Sequence, residues 1–106
     1  MDEATYHRIS DQTLNSLADV LEEADARGDL EVEYQDGILT IILESGKQLL
    51  VSKHGVTKQL WLSSPMSGGL HFVWDGSVWA LADKRVLEDV LANELKQLAQ
   101  LDISFT

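Results

Sequence analysis

The sequence predicts an α+β fold, a two-layer α/β sandwich with two helices packed on one face of a mostly antiparallel sheet. Three observations predict it. Apolar residues recur at helical spacing near both ends of the chain, and between them lie six short strand-like runs separated by turn dipeptides. The chain of 106 residues is long enough to bury one core and too short for two, so residues 1–106 are read as a single domain.

The elements follow in order. From Thr5 to Arg27, the residues Tyr6, Ile9, Leu14, Leu17, Leu21 and Ala24 mark one face of a helix, while Asp11, Asp19, Glu22 and Glu23 mark the other. Gly28 suits its C-cap. "LEVEY" then alternates Leu30, Val32 and Tyr34 against Glu31 and Glu33, the period of a half-buried strand with an acidic outer face. Asp36-Gly37, Ser45-Gly46, His54-Gly55, Gly68-Gly69 and Asp75-Gly76 separate "ILTIIL", "QLLVSK", "KQLWLS", "LHFVW" and "SVWALA". Connections this short imply an antiparallel meander. Asp83 is the expected N-cap of a second helix carrying Leu87, Val90, Leu91, Leu95 and Leu98, and the tail offers Leu101, Ile103 and Phe105 for packing. Each helix must bury a stripe and the sheet one face, which places both helices on one side.

Composition narrows the function. The absence of cysteine excludes disulfides, thiolate ligands and cysteine nucleophiles, so any metal must meet oxygen or imidazole. No apolar run approaches twenty residues, and the opening "MDEATYHRIS" is acidic, unlike a signal peptide. A cytoplasmic protein is expected. The net charge is −10, and it is unevenly placed: residues 1–36 hold eleven acids and two bases, residues 37–106 seven acids and six bases. Such a surface disfavours nucleic acid and anionic membrane and favours a cation or a basic protein patch.

The acids around the end of the first helix break several local rules together. A helix C-terminus prefers cations, yet Glu22, Glu23 and Asp25 sit there with only Arg27 to offset them. Asp19 lies three and four residues before Glu22 and Glu23, so like charges become neighbours. Asp29, Glu31 and Glu33 continue the ridge onto an edge strand. Departures of this kind are expected where function resides. Chemically, Asp19, Glu22, Glu23, Asp25, Asp29, Glu31 and Glu33 present hard oxygen donors suited to ferrous or ferric iron, calcium or manganese. No loop wraps the ion, so weak and fast-exchanging sites are expected. His7, one turn before Asp11, makes a weaker metal candidate with it.

In "QLWLS", Leu60 and Leu62 should face the helices, which sends Trp61 to the open face with Thr40, Ile42 and Leu50. An aromatic residue there is an interface anchor rather than a core residue, whereas Trp74 and Trp79 are assigned to the core. His54 and His71 receive no chemical role. No G-x-S-x-G turn, P-loop, dinucleotide-binding glycine signature or H-E-x-x-H helix occurs, so no dedicated active site is expected. Bound ferrous iron can nonetheless oxidise on the ridge.

"YHRISDQ", the acidic helix-to-strand segment, "DGILTI", "KQLWLSS", "GGLHF" and "VWALAD" occur in the order found in the frataxin family, and the chain resembles its bacterial CyaY type over essentially its whole length. The resemblance implies iron binding by Asp19, Glu22, Glu23, Asp25, Asp29, Glu31 and Glu33. It also implies a role in iron-sulfur cluster assembly, as iron donor or iron-dependent regulator of the cysteine desulfurase. The same seven acids are then desulfurase-facing, with Glu22, Glu23 and Glu31 the partner-binding set, and the Trp61 face is assigned to the iron-sulfur scaffold protein. Arg27, with neutral Ala18 and Ala26 beside the ridge, departs from the pattern. A monomer is expected without metal, with metal-driven oligomers left open. The competing reading is a purely acidic interaction adaptor with no physiological metal role.

Overall fold

Helix α1 (Glu3–Ala24) begins where the Asp2 carboxylate receives the Thr5 N–H at 2.7 Å, satisfying one of the free donors of the first turn. The structure is a computed structural model and describes residues 1–105. One stripe of α1 is buried: Tyr6, Ser10, Leu14, Leu17, Ala18 and Leu21. The side chain of Ser10 turns back to the Tyr6 carbonyl at 2.7 Å, so its hydroxyl is satisfied within the core.

The strands β1 (Glu31–Gln35), β2 (Ile38–Ile42), β3 (Gln48–His54), β4 (Gln59–Ser64), β5 (Gly68–Trp74) and β6 (Trp79–Ala80) form one sheet in chain order. Every neighbouring pair is antiparallel, as the short turns require. Leu39 and Ile41, Leu49 and Val51, Leu60 and Leu62, and Phe72 point to the helix-covered face and are fully or almost fully buried. Helix α2 (Leu87–Ala99) adds Leu87, Val90, Leu91 and Leu95 to the same cluster, and Ile103 closes it from the tail, with Leu101 and Phe105 packed alongside. Buried polar groups tie the layers. The Tyr6 hydroxyl donates to the Gln59 carbonyl at 2.8 Å, the Trp79 indole N–H to Thr13 Oγ1 at 3.0 Å, and the Ser64 hydroxyl to the buried Glu94 carboxylate of α2. Among the described residues, no helix is long and apolar enough to cross a membrane.

Four expectations change. Helix α1 stops at Ala24 rather than Arg27, because Asp25 is its C-cap and Gly28, at φ +71°, turns the chain toward β1. Helix α2 begins at Leu87 with Val86 at the cap, and Asp83 is not its N-cap. The Asp83 carboxylate instead receives the Arg85 N–H at 3.1 Å and the Arg85 guanidinium at 2.9 Å within a preceding turn. Gly68 and Gly69, read as loop, open β5. The expected strand "SVWALA" shrinks to Trp79–Ala80, because Asp75 holds the Ser77 and Val78 N–H groups in a turn on one side. A second turn, closed by the Leu81 N–H on the Arg85 carbonyl, follows on the other.

Candidate functional site

The last turns of α1 and the edge strand β1 bring the acidic ridge together. Asp19, Glu22, Glu23, Glu31 and Glu33 are exposed, and Asp25 and Asp29 are half-buried in the connection between them. No basic residue lies in the last turn of α1, so the negative end of the helix dipole is left uncompensated there. Among the described residues one ion pair lies on the ridge: Arg27 Nε to Asp29 Oδ2 at 3.7 Å joins an 85% exposed guanidinium to a 28% exposed carboxylate, a geometry that neutralises little. Asp25 has a different task. Its two oxygens accept the N–H groups of Asp29 and Leu30, both at 2.8 Å, and so shape the turn that presents the rest of the ridge. The acids spread along the surface: among the described residues, no three His, Asp or Glu side chains converge as a ready-made metal cage. Such a surface suits hydrated hard cations or a basic protein patch.

The weaker pair, His7 and Asp11, is not free for an ion in the same way. Asp11 Oδ1 accepts the Tyr34 hydroxyl at 2.7 Å and the Lys53 ammonium at 2.9 Å, joining α1 to β1 and β3. The Tyr34 hydrogen bond and then the Lys53 ammonium hold the Asp11 carboxyl below its ordinary range. Burial, reinforced by Asp11, pushes the Tyr34 hydroxyl up. His7 is exposed, with its ring tilted against Tyr6.

On the open face, Trp61 stands opposite His71 of β5 and diagonally across from His54 of β3. Both imidazoles lie flat on the indole, His54 at 3.7 Å and 8° and His71 at 4.0 Å and 9° between ring centroids and planes. They come from the strands on either side of β4, so each takes one face of the indole. The Trp61 N–H donates to Gln59 Oε1 at 2.8 Å, and His54 Nδ1 meets the Thr57 hydroxyl at 2.7 Å. Thr40, Ile42 and Leu50 are half-buried on the same face, with Ile38 and Val73 exposed beside them.

An exposed acidic helix-to-strand corner, a tryptophan on the open face and the α-β6-α order coincide with a frataxin-like domain that matches residues 1–101. This chain belongs to the frataxin family. A curated bacterial relative, the iron-sulfur cluster assembly protein CyaY of Pseudomonas fluorescens (strain Pf0-1), is 34% identical over 109 residues, covering 99% of this chain and 96% of the relative. The chain is thus a frataxin of the bacterial CyaY type. The solved frataxin from Psychromonas ingrahamii superposes with a TM-score of 0.91, covering 100% of this chain and 99% of the other at 19% identity, a likeness that bears on the fold alone. A trimeric frataxin from the yeast Saccharomyces cerevisiae, complexed with ferrous iron, gives a TM-score of 0.73 at 29% identity, covering 92% and 85% of the two chains.

In this frataxin two features escape a reading of spacing alone. Glu44 lines two adjoining hollows of about 360 and 280 Å³ together with Asp29, and Glu31 joins them in the smaller. Continuing the β1–β2 register two residues beyond the Glu31–Ile42 pair sets Asp29 opposite Glu44, and that register was the available signal. The second is the clamp on Trp61. Both histidines alternate onto the face of Trp61, a relation that appears only once β3, β4 and β5 are paired.

Proposed function

We propose that this frataxin is an iron-binding protein of iron-sulfur cluster assembly, acting as iron donor or as iron-dependent regulator of the cysteine desulfurase rather than as a dedicated enzyme. The observation that carries the reading is the exposed run of carboxylates at an uncompensated helix C-terminus and on the adjoining edge strand, in a chain of this family. Iron is cargo here. Asp19, Glu22, Glu23, Asp29, Glu31 and Glu33 would hold it through hard oxygen donors, keeping several waters bound, so exchange is fast. Asp25 and Asp11 support the surface structurally, since their carboxylates already receive donors from the chain. Glu22, Glu23 and Glu31 also steer a basic patch of the desulfurase, and the Trp61 face docks the scaffold protein. Iron on the ridge lowers its negative charge and so modulates docking.

One observation favours the adaptor reading: the ridge carboxylates do not converge, as suits a long electrostatic footprint. An anaerobic NMR titration with ferrous iron, followed by one with purified desulfurase, separates the two. Overlapping responses from Asp19 to Glu33 are expected. Signals that move with the desulfurase and ignore iron would leave an adaptor. The variant carrying Glu22→Gln, Glu23→Gln and Glu31→Gln is expected to lose both responses.

A further inference from the structure

We propose that His54 and His71 form a proton-operated clamp on Trp61, so that the open face binds its partner well when both imidazoles are neutral and poorly when they are charged. The proposal rests on the reading of the Trp61 face as a docking surface. Its own foundation is the three-ring stack, with centroids 3.7 and 4.0 Å apart and planes within 9°. Both flat faces of the indole are thereby occupied, so an arriving surface meets the edge of the indole flanked by two imidazole edges. His54 and His71 are positioning residues: they fix the orientation of Trp61, which Gln59 Oε1 also holds through the indole N–H.

The electrical setting makes the pair decisive. Among the described residues of β2 to β5, the positions alternating onto the open face carry no Lys, Arg, Asp or Glu, so His54 and His71 are its titratable groups. Around this face stand Lys58, in the turn between β3 and β4, and Glu31, Glu33 and Asp36 on β1 and its turn, while Lys53, next to His54 in the chain, is paired with Asp11 of α1. Glu31 and Glu33 on β1 lie two strands from His54 and four from His71, about 10 Å or more at about 4.8 Å per strand, whereas the turn that bears Asp36 borders β3, where the Gly37 carbonyl accepts the Lys53 N–H at 2.9 Å. The helices lie across the sheet on the other face. Imidazole is the side chain whose charge changes between pH 5 and 8. Protonation leaves each ring attracted to the indole face as a cation, so the clamp persists while the face gains up to two charges with no acid paired to them. A partner that buries this face must then strip water from unpaired cations, which opposes docking.

Two measurements test this. In NMR titration of the free protein from pH 8 to 5.5, the Trp61 indole N–H is expected to shift with the same midpoints as the ring protons of His54 and His71, while those of Trp74 and Trp79 do not. A Trp61 signal indifferent to both histidines overturns the clamp. In the second, affinity for the purified scaffold protein is expected to fall about fivefold or more between pH 8 and pH 6. His54→Phe together with His71→Phe, which retains a stack without a titrating ring, is expected to abolish that fall. A fall retained in the double variant overturns the gate alone. Unchanged affinity of Trp61→Ala at pH 8 overturns the docking reading beneath it.

Discussion

Asp11 shows at the level of one residue how a surface carboxylate ties distant segments of the chain together. Its carboxylate accepts from Tyr34 and Lys53, which lie 23 and 42 positions away in the chain. Asp11→Asn is expected to destabilise by about 1–2 kcal/mol at pH 7, the scale of hydrogen bonds to a charged group discounted for the 47% exposure of the side chain. The folded-state pKa of Asp11 is depressed. Its contribution is therefore full above the unfolded carboxylate value of about 3.9 and disappears as pH falls through the folded value. Urea midpoints of wild type and Asp11→Asn should accordingly differ at pH 7 and approach each other as pH falls below about 3.9; a constant gap would show that the charge is irrelevant. Glu94 offers a second check. It is 3% exposed and its carboxylate accepts from Ser64, so Ser64→Ala is expected to cost about 1–3 kcal/mol. Ser63→Ala, on the exposed neighbour, should stay within about 0.5 kcal/mol in the same denaturation series.

At the scale of elements, the end of α1 brings like charges together without a base to offset them. Asp19 faces Glu22 and Glu23 at spacings of three and four, with no base in the last turn. Glu23→Gln is expected to stabilise by about 0.2–0.5 kcal/mol, raising Tm by about 1–3 °C, with the gain shrinking in high salt. An unchanged Tm in calorimetry would mean that these charges are fully solvated. The same element marks where sequence reading succeeds and fails. Periodicity located α1, α2, the six strands and the outward Trp61, because 3.6-residue and two-residue patterns are local properties. The helix ends before Arg27 because the Asp25 carboxylate receives the N–H groups of Asp29 and Leu30 and turns the chain toward β1, contacts that spacing does not reveal. Asp83 looked like a cap but is consumed by its own turn with Arg85. The His54–Trp61–His71 stack, the Tyr34–Asp11–Lys53 network and the Glu44 contribution all depend on strand register or on contacts between distant segments. No window of sequence contains them.

For the whole molecule, the fold concentrates an uneven charge. Most of the net −10 lies in residues 1–36, which the chain order folds into α1 and the edge strand β1, while the open face of β2 to β5 carries no carboxylate. The result is a body with a negative end and a nearly neutral open face on β2 to β5, a charge distribution suited to attract a cation or basic partner at the acidic end. The cost is self-repulsion, which works against the compact state. Raising sodium chloride from about 0.05 to 0.5 M shortens the screening length from more than 10 Å to less than 5 Å, and Tm is expected to rise. The variant carrying Glu22→Gln, Glu23→Gln and Glu31→Gln has less charge to screen, so its rise should be smaller and its Tm at low salt higher. Millimolar calcium should raise the wild-type Tm beyond what an equal ionic strength of sodium chloride achieves, by mass action on the folded state, and should do less for the triple variant. Equal rises in both proteins with both salts would mean that the ridge neither destabilises the fold nor recognises a divalent ion, and that its acids serve a protein partner alone.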